Sequence, residues 1–286
     1  MIIPERSSAT RTLPTFIIAG AAKSGTSSLW HYLRAHPDVF VVPAKELNFF
    51  SHDNVFRRGL DWYVSRFEEG AAMRAIGEAS PSYLSSERAI ERMAQFVPEV
   101  RLIVALRNPI DRSYSHYWHA RYYAMERRSF REAVDQERHA PAGKKWPFYL
   151  DHSRYHPQIM TILRHFTREQ LLVVLLDDMI QDPVATFQRV CRHVGVDHTI
   201  VPSSVGEVTN TYRETRVPSL VRILIRPALG GVLPLRAWLR LQRALTRNGR
   251  RPPPMEPDVR RGLAEYFAED NAALSSWLGR DLGMWH

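Results

Sequence analysis

The chain has a single cysteine, Cys191, among its 286 residues. That scarcity excludes an intramolecular disulfide and any zinc site built from several thiolates. Cys191 falls between Val190 and Val194 in a helical pattern, which predicts a small buried hydrophobe, and such cysteine usage fits a reducing compartment. Long apolar runs are missing too. None reaches the roughly 18 residues of a membrane-spanning helix, and Met1-Ile2-Ile3-Pro4-Glu5-Arg6 has no apolar core of a secretory signal. The expectation is a soluble, cytoplasmic protein. Acidic residues are the minority charge, 30 Asp and Glu against 39 Lys and Arg, for a net charge of +9. The imbalance favours anionic partners without choosing among nucleotides, acidic glycans, nucleic acid and a membrane surface. With 44% hydrophobic residues and no internal repeat, the chain has enough apolar material for one large domain.

What is present is concentrated near the N-terminus. The apolar run Phe16-Ile17-Ile18-Ala19 feeds the loop Gly20-Ala21-Ala22-Lys23-Ser24-Gly25, and Thr26-Ser27-Ser28 follow at once. The order reads as strand, phosphate cradle and helix start. Free N–H groups in a first helical turn and the positive end of the helix dipole attract an anion. The loop departs from the nucleoside-triphosphate pattern G-x-x-x-x-G-K-[ST]. Gly20 and Gly25 keep its spacing and Ser27 supplies its hydroxyl, but Thr26 stands in place of the lysine, which has moved back to Lys23.

Strands are predicted at Thr15–Ala19, Val39–Val42, Ala75–Glu78, Arg101–Leu106 and Leu171–Leu176, several as continuous apolar runs. Helices are predicted at Thr26–Ala35, Ser86–Phe96, Pro109 to about Tyr123, Ser129–Arg138 and Pro183–Val194, the last stopped by Gly195. Alternation of the two implies an α/β fold, a mostly parallel sheet flanked by helices with its functional loops on one edge. Residues 1–14 read as a polar lead-in to a single domain over 15–286. Within it, 207–256 is a candidate helical lid or acceptor-side subdomain, and Pro257–Leu278 a final helix in a helical C-terminal region.

A second anchor lies in Arg101-Leu102-Ile103-Val104-Ala105-Leu106-Arg107-Asn108-Pro109, followed by Ser115. A strand delivers Arg107 to its end, Pro109 opens a helix, and Ser115 comes about two turns later. A guanidinium and a hydroxyl placed so suit a second phosphate. Taken with the Gly20–Ser28 loop, these residues resemble the sulfotransferases that use 3′-phosphoadenosine 5′-phosphosulfate (PAPS). The likeness runs from about Thr15 through Gly195 and is nearest the heparan-sulfate and bacterial carbohydrate-type branch. His36-Pro37, Lys45-Glu46-Leu47-Asn48-Phe49-Phe50, Gly77-Glu78-Ala79-Ser80-Pro81-Ser82-Tyr83 and Ser153-Arg154-Tyr155 follow in that branch's order. One departure stands out: Ala79 occupies a position where several heparan-sulfate enzymes carry a lysine.

The resemblance implies transfer of a sulfuryl group from PAPS to a hydroxyl or amine of a carbohydrate, glycolipid or natural-product acceptor, releasing adenosine 3′,5′-bisphosphate, without a metal. It implies donor contacts from Ala22, Lys23, Ser24, Gly25, Thr26 and Ser27 on the 5′ side and from Arg107 and Ser115 at the 3′-phosphate. Tyr155, Arg213 and Arg216 are further donor candidates, each with packing or a solvated loop as the plainer reading. Lys23 would stabilise the leaving phosphate or clamp it in the ground state. Glu46 would act as general base, and His119 as a second acid or base, or as a surface histidine. His116, His139, His152 and His156 lack the spacing of a metal motif. Two other readings remain open. Leu171–Leu176 with Asp177-Asp178 imitates the magnesium strand of a P-loop kinase or NTPase, and the basic, apolar stretch 220–251 would suit peripheral membrane contact. No nucleic-acid-reading motif is present.

Overall fold

The computed structural model describes residues 12–123, 125–140, 148–207 and 252–285. The expectations placed on 208–251, including Arg213, Arg216, the 220–251 stretch and most of the lid, lie outside the described residues. Five strands are present: β1 (Phe16–Gly20), β2 (Val39–Val41), β3 (Ala75–Ala79), β4 (Arg101–Leu106) and β5 (Leu171–Leu175). They form one sheet in the order β2-β3-β1-β4-β5, and every pairing is parallel. Phe16 lies opposite Gly77 on one side and Arg101 on the other, so β1 is the central strand. All five of its residues are buried, as the uninterrupted apolar run requires of a strand covered on both faces.

The helices follow from their caps. Between β1 and β2 runs α1 (Thr26–Arg34), nine residues long. Two short helices, α2 (Asp53–Phe56) and α3 (Leu60–Val64), precede β3. Ser86 accepts a hydrogen bond from the Ala89 N–H and so starts α4 (Glu87–Phe96). Asn108 does the same for α5 (Pro109–Tyr122), whose first residue is the expected proline. The Ser129/Glu132 capping box opens α6 (Phe130–His139). Next come α7 (Tyr155–Leu163), α8 (Leu176–Gln181) and α9 (Pro183–Val194), the last closed by Gly195 at φ 85°. The last helix is α10 (Pro257–Leu278). None of the helices among the described residues is long and apolar enough to cross a membrane.

Differences from the sequence reading are local. The first strand begins one residue later than expected and ends at Gly20, which still pairs with Val104 beyond an irregularity at Ile18. The fifth ends at Leu175. Leu176, Asp177 and Asp178 belong to α8, so the acidic pair lies in a first helical turn, where the helix dipole favours it, and not at a strand end. Both α2 and α3 are too short to show a helical period in the sequence.

The described chain divides into two compact units. One holds the residues up to Arg107 together with those from Pro157 to 207; the other holds Asn108–His156 and the C-terminal residues from 252. In the first, Phe16, Ile18, Leu29, Leu33, Val174, Phe187, Val190 and Cys191 share one core between the sheet and helices α1 and α9. Cys191 is wholly buried, and burial pushes its thiol up to about 12, with Asp197 adding to the rise. In the second, Ile110, Tyr117, Phe130, Tyr149, Leu150, Leu263 and Phe267 pack together. There α10 is tied to α5 and α6 by the ion pair Arg260–Asp111 and by Arg138, which donates to the Gly262 carbonyl at 2.7 Å.

Phe187 is 1% exposed and meets Tyr32 edge-on at 6.3 Å. Phe187→Ala is expected to cost about 3–5 kcal/mol, the usual range for emptying a buried aromatic site. Urea unfolding checks it; a cost under about 1 kcal/mol would show that this core closes over the cavity.

Candidate active site

Because the sheet is parallel, the C-terminal ends of its strands share one edge, and the loops leaving them carry most of the expected site residues. The first is the loop between β1 and α1. It turns through left-handed backbone at Lys23 (φ 74°) and Gly25 (φ 94°). A side chain at Gly25 would be strained by that φ, and its Cβ would lie 3.0 Å from Leu176 Cδ1. Gly20 tolerates no Cβ either, since Leu84 Cβ would stand 2.4 Å away. Gly25 is the N-cap residue of α1, and no side chain caps that helix. The N–H groups of Ser28 and Leu29 turn back onto the Gly25 carbonyl at 2.9 and 3.2 Å. The helix start thus keeps its positive end for an anion.

The hydroxyls around this turn are disposed unevenly. Ser24 is 0% exposed, and its Oγ has no hydrogen-bond partner among the described residues. A buried hydroxyl left unsatisfied normally costs about 1–3 kcal/mol. Thr26 is buried, and Ser27 accepts a hydrogen bond from the Lys45 ammonium. Lys45 was not among the expected site residues. It lies eighteen positions away and reaches the cradle only because the loop after β2 folds back. Its place beside Glu46 was the one hint in the sequence.

That loop is bent sharply. Glu46 (φ 63°) and Asn48 (φ 52°) are both left-handed, uncommon for residues with side chains. Leu47, Phe49 and Phe50 are buried, whereas Glu46 is exposed. The Glu46 N–H donates to the Ala79 carbonyl at 2.9 Å, which fixes Glu46 beside the end of β3. Ala79 is 1% exposed and brings no charge to this position.

Just before Ala79, Glu78 is buried completely. Its carboxylate accepts from Tyr63 at 2.8 Å, Tyr83 at 2.9 Å and Ser80 at 2.6 Å. Burial pushes its pKa up, while the three hydroxyls oppose the rise. Tyr63 and Tyr83 are held well above the usual phenol range by burial and by the Glu78 charge. None of these groups except Glu78 and its motif neighbours was singled out in the sequence.

Arg107 follows β4 on the same sheet edge and is partly buried. The other expected residues belong to the second unit. Ser115 and His119 lie on α5, half-buried, and the His119 ring meets Tyr123 edge-on at 4.8 Å. The same helix is anchored by Arg112, 1% exposed, which donates to Ser153 Oγ at 2.7 Å and to the Tyr149 carbonyl at 3.1 Å. His116 Nδ1 is 3.0 Å from the Arg112 guanidinium, and the His116 ring stacks on His152 at 6.2 Å. Burial, with Arg112 nearby, lowers the His152 pKa to about 3 and keeps that ring neutral. Tyr155 is 0% exposed, its backbone N–H donates to Asp270 and its ring meets Trp285, which is the packing its plainer reading expects. Among the described residues no cluster of His, Cys, Asp and Glu is arranged to hold a metal.

The chain is similar to known proteins along most of its length. A family model described as "Sulfotransferase domain" matches residues 13–217. The mouse bifunctional heparan sulfate N-deacetylase/N-sulfotransferase 4 is 28% identical over 280 residues, covering 94% of this chain but 30% of that protein. Human heparan sulfate glucosamine 3-O-sulfotransferase 6 is 28% identical over 276 residues, covering 96% of this chain and 74% of that protein. Among solved structures, a sulfotransferase from Alicyclobacillus acidocaldarius superposes with a TM-score of 0.72 at 30% identity, covering 96% of this chain and 98% of that one. The chain thus spans about a third of the bifunctional relatives and nearly all of the bacterial one.

Burial lowers the Lys45 pKa from the usual lysine value, and the neighbouring Glu46 carboxylate works against that shift. A lysine whose pKa is lower folded than unfolded penalises folding in its charged form. The penalty is full below the folded pKa and disappears as pH rises through it to the unfolded value. Lys45→Met is therefore expected to melt no lower than the unmodified chain at pH 7, with any gain shrinking as pH rises and gone above about pH 10. Thermal unfolding across pH checks this. A clear drop at pH 7 would show that the bond to Ser27 outweighs the desolvation.

Proposed function

The chain belongs to the sulfotransferase family, and from that membership we propose that it transfers a sulfuryl group from PAPS to a carbohydrate hydroxyl or amine. The observation that carries the donor assignment is the uncapped start of α1 with the buried, unsatisfied Ser24 hydroxyl beside it. Such a cradle suits the 5′-phosphosulfate end of the donor. In this reading Ala22 to Ser27 bind that end, and Arg107 and Ser115 bind the 3′-phosphate that distinguishes the donor from ATP. The bound donor supplies the sulfuryl group and, as leaving group, adenosine 3′,5′-bisphosphate.

The chain's own residues then have separable tasks. Lys23, inside the turn, and Lys45, on Ser27, place two cations at the 5′ side, where negative charge grows on the departing phosphate. Thr26 and Ser27 orient the group for in-line attack. Glu46, exposed at the tip of its loop, takes the acceptor's proton. His119 is assigned to orienting the acceptor or to a second proton transfer. The carbohydrate class rests on the heparan sulfate named in the relatives' descriptions. Since Ala79 is buried and uncharged, any recognition of acidic groups on that glycan has to come from other cations.

Two measurements test the proposal. Adenosine 3′,5′-bisphosphate without magnesium is expected to raise the melting temperature, by an amount that grows with concentration over Kd. Ser24→Ala should melt no lower than the free wild-type protein, because no bond is lost and a buried unsatisfied hydroxyl is removed, while weakening the bisphosphate by about ten- to a hundredfold. Stronger protection by ATP with magnesium than by the bisphosphate would favour the kinase reading instead. Separately, Glu46→Gln should keep the bisphosphate shift and lose about 10²–10⁴-fold in transfer of label from PAPS to an acceptor fraction. Full turnover in that variant would remove Glu46 from the base role.

A further inference from the structure

The loop that carries Glu46 is bent through two left-handed residues and has its tip in solvent, yet a base must be held in place to be effective. Nothing in the loop's own sequence supplies that rigidity. Beside the Glu46 N–H bond to the Ala79 carbonyl, three further contacts lead from residues 48–50 into the protein, and all three converge on one side chain. The Asn48 N–H donates to Ser80 Oγ at 3.0 Å, and the Ser80 hydroxyl donates onward to Glu78 Oε2. Phe49 stacks on the Tyr63 ring at 4.6 Å, and the Tyr63 hydroxyl ends on Glu78 Oε1. Phe50 packs edge-on against both Tyr63, at 4.9 Å, and Tyr83, at 5.6 Å, and the Tyr83 hydroxyl also ends on Glu78 Oε1.

We propose that Glu78 is a positioning residue for the proton-accepting Glu46, acting through Ser80 and Asn48 on one path and through the Tyr63 and Tyr83 rings on the other. The inference rests on the reading of Glu46 as base. Its logic is the direction of the hydrogen bonds. A carboxylate is an acceptor only, so all three hydroxyls point their protons at it. Ser80, having given its proton to Glu78, has only lone pairs left for the Asn48 N–H. A side-chain amide turning its N–H groups to Ser80 would instead leave the Ser80 proton without its acceptor and force that hydroxyl to reorient beneath Asn48. The carboxylate therefore sets the polarity of the entire path, which a merely apolar or isosteric filler would not. Ser82 strengthens the far side of the loop by donating to Asn48 Oδ1 at 2.7 Å.

The test uses the full chain and two variants. Ser80→Ala removes the link and leaves the Tyr63 and Tyr83 bonds to Glu78 in place; Glu78→Gln keeps the shape and inverts the polarity. Each is expected to lose about 10²-fold in kcat for label transfer, as small misplacement of a reacting group does, with the bisphosphate melting shift unchanged. Amide hydrogen exchange, which needs no acceptor, should quicken over residues 46–50 and stay as it was in β4 and β5. The double variant should be no slower than the worse single one, because Ser80 acts only through Glu78. Ser80→Ala remains informative should Glu78→Gln fail to fold. Wild-type kcat and wild-type exchange at 46–50 in Ser80→Ala would overturn the proposal, as would faster exchange spread evenly over the sheet, the mark of a stability role alone. Glu46→Gln run alongside separates the two failures. If it is inactive while Ser80→Ala is normal, only the positioning role falls; if it turns over fully, the base assignment falls and Glu78 has nothing to position.

Discussion

The whole arrangement depends on one constraint, the burial of β1 between β3 and β4 in parallel register. Ile17 lies opposite Glu78 on one side and Leu102 on the other, so the three strands advance together and end together. The Gly20–Ser28 loop, the Glu78–Tyr83 segment and Arg107 then leave the sheet at the same edge. The loops add short ties of their own. The Ala21 N–H donates to the Ala105 carbonyl at 2.7 Å, and the Leu84 N–H to the Ala19 carbonyl at 2.8 Å. A slip of one residue in β1 would exchange its two faces and move the cradle relative to both neighbours.

Most of the framework was legible in the sequence because its signals are local. Apolar runs, several of them continuous, marked the five strands, and Ser86, Pro109, Ser129, Pro183 and Gly195 marked helix ends at or within a residue of where they occur. The cradle was legible for the same reason, being contiguous from Gly20 to Ser28. What escaped is tertiary. Lys45 reaches Ser27 because two left-handed residues turn its loop, and neither turn uses a glycine that would have announced it. The packing around Tyr155 was not readable either, since the Asp270 carboxylate that accepts its backbone N–H lies 115 residues along the chain. No window-based reading brings such a pair together. Asp177 and Asp178 misled in the opposite way: a strand that stops one residue early turns an acidic strand end into a helix start.

Two glutamates near the end of β3 show how environment divides labour between identical side chains. Glu46 is in solvent, held by its backbone, and free to meet a partner from outside. Glu78 is sealed, and every proton donor it meets comes from the protein itself. The first is suited to chemistry and the second to architecture, a distinction that composition alone does not reveal. Cations are divided in a similar way. Arg112 is buried among carbonyl and hydroxyl oxygens and His116, which fixes α5, whereas Lys45 keeps part of its surface at the cradle.

The solitary cysteine has a practical consequence. Cys191 is sealed in the core beneath the sheet, with its thiol raised to about 12, so in the native protein it is neither accessible nor ionised. A thiol-reactive dye can label it only when that core opens, which makes the rate of labelling a clock for opening of the first unit. No competing thiol exists to blur the signal. The protein therefore carries its own probe of how often the sheet and α9 part, and of how far a bound nucleotide slows that event, with no residue introduced for the purpose.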